Sequence, residues 1–199
     1  MVATAIQKKL PYQTNGHQLR KISWEEFEKK FLTREDGFKY EWVDGIVEKT
    51  PRPMNQYQYA ILDNIEDFFA QLVLEQKASG KFYAEIDTFF LDKVHRRPDS
   101  AYFDNAQRVL MQQKVNQVPR FVIEIISDND NLNKFFRKLQ NYRAAKVEVV
   151  WVIFPELKEV YVYQAGVMTH CFGDMVCSAA PVLPLLQIPV KDIFKLLVF

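Results

Sequence analysis

The longest regular pattern of apolar residues in the chain lies between residues 56 and 77 and predicts an amphipathic helix. Apolar side chains recur there every three or four positions, as one face of a helix requires. They are Tyr57, Ile61, Ile65, Phe68 and Leu72. Ser79 and Gly80 follow and are expected to end the helix. A shorter helix is predicted to begin after Ser23, because Glu26 follows three residues later in a capping-box pattern.

Short apolar segments bounded by turn residues predict several strands. Asp44-Gly45 lies between two of them and predicts a β-hairpin. Residues 81–91 are expected to form one strand, and the basic segment DKVHRRPDS that follows is expected to form a turn. Further strands are predicted at 100–103, 120–126, 147–154, 159–164 and 166–172.

A second clear helix is predicted within residues 128–146, between two of the most apolar strands, and a closing helix within 190–198. Strands with a helix between them can lie parallel in one sheet, because the helix carries the chain back across the sheet. The order of elements therefore predicts an α/β (α+β) fold, with a mixed central sheet flanked by helices and one crossover helix.

The composition is that of an ordered protein with almost no net charge. The 199 residues include 26 basic and 25 acidic side chains, which gives a formal net charge of +1. This balance excludes an overall basic field of the histone type but is compatible with a local basic patch. We expect one domain over residues 21–199, after a flexible arm at 1–20.

The sequence has no features of a secretion signal or a membrane span. The N-terminal residues lack an apolar core, and the apolar C-terminal residues are interrupted by prolines, Lys191 and Asp192. We therefore expect a cytoplasmic protein with no membrane partner. The same C-terminal segment suggests a homodimer, because an apolar surface needs covering. Cys171 and Cys177 are expected to be reduced, small hydrophobic residues.

Glu124 is the most unusual residue of the predicted core, because it is a carboxylate within the apolar strand FVIEII. A buried charge is costly unless another charge or a metal ion compensates it. Asp99, which precedes the predicted strand SAYF, could share one divalent cation with Glu124, since Mg²⁺ prefers oxygen ligands. An arginine could instead pair with Glu124, and the residues alone leave both alternatives open.

Lys138 lies on the helix that follows Glu124 in the sequence. Phe135, Leu139 and Tyr142 form the predicted buried stripe of that helix, and Lys138 lies roughly 60° from the centre of the stripe. Its ammonium group could therefore reach the sheet. Alternatively, the ammonium could remain in water above a buried apolar stem.

Four basic residues are candidates for contact with the phosphates of a nucleic acid. Arg96 and Arg97 lie in the predicted basic turn, and Lys134 and Arg137 lie on the same helix as Lys138. Each pair could form part of a phosphate-facing surface. Both could equally be exposed, solvated charges.

Four motifs, in this order, resemble those of the Uma-two family of endonucleases, which belongs to the PD-(D/E)XK, or restriction-endonuclease-like, superfamily. They are KYEWVDG, RPDSAYF, VPRFVIEIIS and RKLQNYRAAKVEVVWV, and the resemblance runs from about Ile22 to Gln164. It implies a restriction-endonuclease-like fold and a metal-dependent endonuclease that acts on DNA.

The resemblance also implies a role for each candidate site residue. Asp99 and Glu124 would hold Mg²⁺ or Mn²⁺, with the backbone carbonyl of Ile125 as a further ligand. Lys138 would orient the attacking water or help to deprotonate it. Glu41 would support a ligand or a second metal ion.

The chain also departs from the general superfamily motif. Ile126 stands where that motif has lysine, and the family members that resemble this chain supply the lysine from the next helix, in a pattern that Lys138 and Tyr142 match. Where relatives often have an acid one turn earlier, this chain has Lys134. The alternative function is therefore a non-catalytic, nucleic-acid-binding or protein-interaction module on the same fold, for which we expect DNA binding without metal.

Overall fold

The computed structural model of the chain describes residues 20–51, 55–126 and 132–196, so the predicted N-terminal arm lies almost entirely outside it. The helices are α1 (Trp24–Phe27), which continues as a π-helical turn (Glu28–Leu32), α2 (Gln56–Leu74), α3 (Asn105–Gln112), α4 (Leu132–Ala144) and α5 (Val190–Ile193). The strands are β1 (Phe38–Val43), β2 (Ile46–Pro51), β3 (Lys81–Ala84), β4 (Thr88–Leu91), β5 (Val94–Arg96), β6 (Ser100–Phe103), β7 (Phe121–Ile125), β8 (Val149–Phe154), β9 (Glu159–Gln164), β10 (Val167–Phe172), β11 (Val176–Ala179) and β12 (Leu183–Pro189).

The central sheet has six strands in the order β10-β9-β8-β7-β6-β3. Neighbouring strands in this sheet are antiparallel, except that β7 and β8 are parallel to each other and are joined through α4. A parallel pair needs such a crossover, so the predicted mixed sheet with one crossover helix is confirmed. Apolar side chains cover both faces of β7 and β8, one face against α2 and β12 and the other against α4, which explains why both strands are almost wholly apolar.

A second sheet, with four strands in the order β2-β1-β5-β4, carries the predicted hairpin. Asp44 and Gly45 connect β1 and β2 with φ angles of +50° and +87°, as a tight hairpin turn requires. Apolar and charged residues alternate along β1 from Phe38 to Trp42. Tyr40 and Trp42 face an aromatic cluster with Phe27, so the side chains between them face the opposite side of the strand.

Residues 81–91 form two strands in different sheets, so the prediction of one strand is wrong. β3 belongs to the central sheet and β4 to the second sheet. The chain changes direction near Glu85, which has a φ of +45°. No glycine marks this turn, and for that reason local composition does not reveal it.

Two helix predictions are also corrected. α2 ends at Leu74 rather than near residue 77, and its buried side includes Leu62 and Phe69, whereas Phe68 is exposed. The closing helix predicted within 190–198 is much shorter, because only Val190–Ile193 is helical and residues 194–196 form a turn and irregular backbone. Residues 197 and 198 lie outside the described residues. β11 and β12 form a small antiparallel sheet, whose apolar residues pack into the same core as α2.

The C-terminal part of the core contains both cysteines. Cys171 and Cys177 are buried and not linked by a disulfide, which confirms the prediction of reduced side chains. Within the described part of the chain, no helix is long and apolar enough to cross a membrane.

Candidate active site

Asp99 and Glu124 lie opposite each other on the face of the central sheet that α4 covers. The antiparallel β6–β7 ladder ends at the pair of Ser100 and Ile123. Asp99 and Glu124 are the next residues of the two segments, and their carboxylates are close enough to interact electrostatically. Both carboxylates are buried. Like charges in directly opposed positions destabilise a sheet, because their Cβ atoms are only about 5 Å apart. The pair therefore needs positive charge close to it.

Asp99 is held by one main-chain donor and one side-chain donor. The Ile125 amide donates a hydrogen bond to Oδ2 at 2.7 Å, and Lys39 Nζ donates one to Oδ1 at 2.6 Å. Lys39 lies on β1 and faces away from the aromatic cluster, as the alternation of that strand requires. The second sheet thus places the ammonium group of Lys39 against the carboxylates of Asp99 and Glu124.

Glu124 receives its two side-chain donors from α4. Lys138 Nζ lies 2.9 Å from both carboxylate oxygens, and the Tyr142 hydroxyl donates a short hydrogen bond to Oε1. Lys138 and Tyr142 are four residues apart and share one face of the helix. Lys138 is almost fully buried, so its ammonium reaches the sheet and does not remain in water.

Glu41 joins the second sheet to the same cluster. Its Oε1 accepts a hydrogen bond from the Arg97 amide at 2.8 Å and lies 3.2 Å from Lys138 Nζ. Its Oε2 accepts a hydrogen bond from Arg96 at 2.9 Å. Arg96 also donates to Glu48, which lies directly opposite Glu41 on β2. Lys138 therefore bridges carboxylates that belong to two different sheets.

The two glutamates that Lys138 contacts have pKa values shifted in opposite directions. Burial raises the pKa of Glu124 above its ordinary value of 4.5, and the nearby Asp99 carboxylate acts in the same direction. Burial alone would also raise the pKa of Glu41, but the charges of Lys138, Arg96 and Lys39 hold it well below 4.5. Glu41 is thus firmly ionised, whereas Glu124 is the carboxylate whose charge is costly here.

Comparisons with known proteins identify the family and the fold of the chain. Residues 24–191 match the model of the Uma2 family, which is described as "Putative restriction endonuclease". The chain belongs to the Uma2 family. A crystal structure of "a putative nuclease belonging to DUF820 from Anabaena variabilis ATCC 29413" has a TM-score of 0.70 and 20% sequence identity over 87% of this chain and 97% of that chain. It shows that the fold is restriction-endonuclease-like. The curated proteins include no match to the chain.

The structure brings the four residues predicted to be catalytic into one buried cluster in this Uma2 protein. Lys138 contacts both Glu41 and Glu124, and the carboxylate of Asp99 interacts electrostatically with that of Glu124. Ile125 adjoins them through its amide, which binds Asp99. Their catalytic and metal-binding roles stay predictions.

The four candidate phosphate-binding residues are placed very differently. Arg96 and Arg97 are buried, where Arg96 neutralises Glu41 and Arg97 makes two hydrogen bonds to Asp87. The prediction that these arginines lie in an exposed turn and contact phosphate is therefore wrong, because both guanidinium groups bind carboxylates of the protein itself. Lys134 and Arg137 lie on the exposed side of α4, and their contact with phosphate stays a prediction.

Lys39 is a member of the cluster to which the family resemblance assigns no role, although it is the first residue of the motif KYEWVDG. The signal that could have revealed it is the alternation in FKYEWV, where Lys39 and Glu41 are two residues apart and hence on one face of a strand. The pairing of Arg96 with Glu41 has no such local signal, because 55 residues separate them.

The cluster has the chemistry of a site for a hard divalent cation. Among the described residues, four carboxylates, from Asp99, Glu124, Glu41 and Glu48, face three cationic side chains, from Lys39, Lys138 and Arg96. When all of these groups are ionised, they carry one net negative charge. Each Asp99 oxygen accepts one hydrogen bond within the described residues and retains a lone pair for a metal ion.

Two carboxylates are a ligand set that Mg²⁺ or Mn²⁺ could use. Over residues 20–51, 55–126 and 132–196, no group of three or more His, Cys, Asp or Glu side chains is arranged to hold a metal ion. Mg²⁺ is commonly bound through one or two carboxylates, with water and substrate phosphates as the other ligands. Asp99 and Glu124 fit that requirement.

Proposed function

We propose that this Uma2 protein is a divalent-metal-dependent endonuclease that hydrolyses phosphodiester bonds in DNA. The observation that carries the proposal is the pair of buried, interacting carboxylates of Asp99 and Glu124, with Lys138 Nζ 2.9 Å from Glu124. Stability alone is a poor reason for such a cluster, because buried ion pairs can often be replaced by apolar residues without loss. The family description supports a nuclease, and hence a nucleic acid as its substrate.

Each residue of the cluster has a distinct role in the proposed reaction. Asp99 and Glu124 supply the carboxylate ligands for Mg²⁺ or Mn²⁺, together with the carbonyl of Ile125. When bound, the cation would polarise the scissile phosphate and lower the pKa of a bound water. Lys138 orients the attacking water and offsets the negative charge that develops on the phosphoryl oxygens.

Glu41 acts on the reaction through Lys138. It lies 3.2 Å from the Lys138 ammonium, and Arg96 and the Arg97 amide fix its two oxygens. Lys138 is therefore held from both sides and keeps its position beside Glu124. Such preorganisation matters because a charged group that must first be oriented contributes less to the transition state.

Cleavage of supercoiled plasmid DNA with Mn²⁺ or Mg²⁺ tests the proposal. We expect cation-dependent cleavage that leaves 5′-phosphate ends, and rates lowered at least about 100-fold by Asp99→Asn or Glu124→Gln. Asp174→Asn is the matched control, because Asp174 forms an exposed carboxylate–lysine pair with Lys191. Equal cleavage by all four proteins would reveal a contaminating nuclease and contradict the proposal.

A DNA-binding measurement separates this proposal from a non-catalytic role. Affinity that needs no cation and falls steeply with salt, without cleavage under any condition, would identify a nucleic-acid-binding module instead.

A further inference from the structure

We infer that Lys39 supplies the charge of the divalent cation in the metal-free protein, so that the Lys39–Asp99 ion pair and cation binding exclude each other. The inference rests on the proposed function, because it concerns the cation held by Asp99 and Glu124. It assigns to Lys39 a positioning and regulatory role at the metal site.

The contact between Lys39 and Asp99 is short and sheltered from water. Lys39 Nζ lies 2.6 Å from Asp99 Oδ1, and the side chains retain only 11% and 8% of their exposure. The other oxygen, Oδ2, is fixed by the main chain at Ile125. Oδ1 is therefore the Asp99 oxygen whose partner is a side chain, and a side chain can move by rotation about its own bonds, whereas a main-chain amide cannot.

The charge of Lys39 acts on the same two carboxylates that are proposed to hold the cation. Besides Asp99, its ammonium interacts electrostatically with Glu124 and Glu41. The ammonium thus relieves the repulsion between the opposed carboxylates, as a bound cation would. A cation and Lys39 at the same carboxylate would repel each other strongly in such a buried site, since little water screens them.

Lys138 and Lys39 differ in their number of carboxylate partners, and this difference indicates which ammonium group a bound cation would displace. Lys138 has two carboxylate partners, so it keeps Glu41 when Glu124 binds a metal ion. Within the described ranges, the ion pair of Lys39 is with Asp99 alone. A lysine ammonium stands on a flexible stem of four methylene groups. Lys39 is therefore the group that can leave the pair.

Calorimetric titration of the metal-free protein with Mn²⁺ tests this inference without a measurement of activity. Lys39→Met keeps the stem and removes the charge, and we expect it to bind Mn²⁺ about tenfold more tightly than the wild type, or about 1.4 kcal/mol. Lys39→Arg retains a competing charge and should bind Mn²⁺ no more tightly than the wild type. Lys191→Met is the matched control, because Lys191 forms the exposed pair with Asp174, and its Mn²⁺ affinity should not change.

The outcomes separate the inference from the proposed function. If wild type binds Mn²⁺ and Lys39→Met binds it equally or more weakly, the role of Lys39 is wrong while the metal site stands. If neither protein binds Mn²⁺, the metal site itself is wrong, and so is the inference.

A second measurement uses the wild-type side chain in case Lys39→Met does not fold. We expect the NMR signal of the Lys39 ε-methylene, labelled with ¹³C and assigned by its loss in Lys39→Arg, to shift on titration with Mg²⁺. The signal of Lys191 should stay unchanged. A Lys39 signal that does not respond to saturating Mg²⁺ would contradict the inference.

Discussion

Lys138 Nζ lies 2.9 Å from both carboxylate oxygens of Glu124. This ion pair connects the crossover helix α4 to β7, the strand that precedes it. The same ammonium lies 3.2 Å from Glu41 on the second sheet. One cation thus compensates two buried carboxylates from different parts of the chain. The stability of the fold and the geometry of the candidate site consequently depend on the same group.

Removal of the Lys138 charge is expected to destabilise the protein strongly. Lys138→Met leaves Glu41 and Glu124 without their shared cation, and loss of one partner of a buried ion pair costs about 3–5 kcal/mol. Urea unfolding in EDTA measures the loss. Arg137→Met, on the exposed side of α4, is the control and should change stability by less than about 0.5 kcal/mol. A Lys138→Met protein as stable as this control would show that the ammonium is not needed between the two carboxylates.

Neutralisation of Glu124 and of Glu41 should change the pH dependence of stability in opposite directions. Burial raises the pKa of Glu124 in the folded protein, so the folded state binds more protons than the unfolded state just above pH 4.5. The contribution of Glu124 to stability is therefore lost as pH rises from that value through the raised pKa. Glu124→Gln should remove this loss.

Glu41 has the reverse effect, because its pKa in the folded protein is lowered by its cationic neighbours. Its contribution is present above pH 4.5 and is lost as pH falls below that value. Glu41→Gln should therefore make the protein less sensitive to acid. Unfolding free energies of both variants from pH 3 to 8 in EDTA check the two signs, and curves displaced in the same direction would contradict the opposed pKa shifts.

The hydroxyl of Tyr142 is expected to stabilise the ionised form of Glu124. Tyr142→Phe removes the hydrogen bond that the hydroxyl donates to Oε1, and a hydrogen bond to a charged group is worth about 1.5–3 kcal/mol. A double-mutant cycle with Glu124→Gln, measured by chemical unfolding, isolates this contact. Tyr59→Phe on the exposed side of α2 is the control. Strict additivity of Tyr142→Phe and Glu124→Gln would mean that the two side chains do not interact.

Gly80 is required by both its backbone angle and its surroundings. Its φ is +95°, and an added Cβ would lie 2.5 Å from the carbonyl oxygen of Phe103. Gly166 has a similar φ of +82° but open space around it, so Gly166→Ala should cost only the backbone strain, about 1–3 kcal/mol. We expect Gly80→Ala to lower the melting temperature clearly more than Gly166→Ala. Equal losses would show that the neighbours of Gly80 move aside freely.

The parts of the fold that the sequence predicts well are those with local signals. The hairpin at Asp44-Gly45 follows from its turn residues. The stripe of α4 predicts that Lys138 flanks the buried face, and the structure decides that its ammonium reaches Glu124. The change of sheet near Glu85 has no such signal, because a non-glycine residue adopts the positive φ there. The buried state of Arg96 could not be inferred either, since its acidic partners lie on β1 and β2, far away in the sequence.

The contacts of the site also differ in the length of chain that each one closes. Lys138 and Glu124 are 14 residues apart, whereas Lys39 and Asp99 are 60 apart and Arg96 and Glu41 are 55 apart. Because the entropy lost on closing a loop grows with its length, the Lys138–Glu124 contact costs the least chain entropy. Glu124 and Lys138 thus come together within one strand–helix unit, β7 and α4. The contacts of Lys39 and Glu41 form only when the β1–β2 hairpin packs against the rest of the protein.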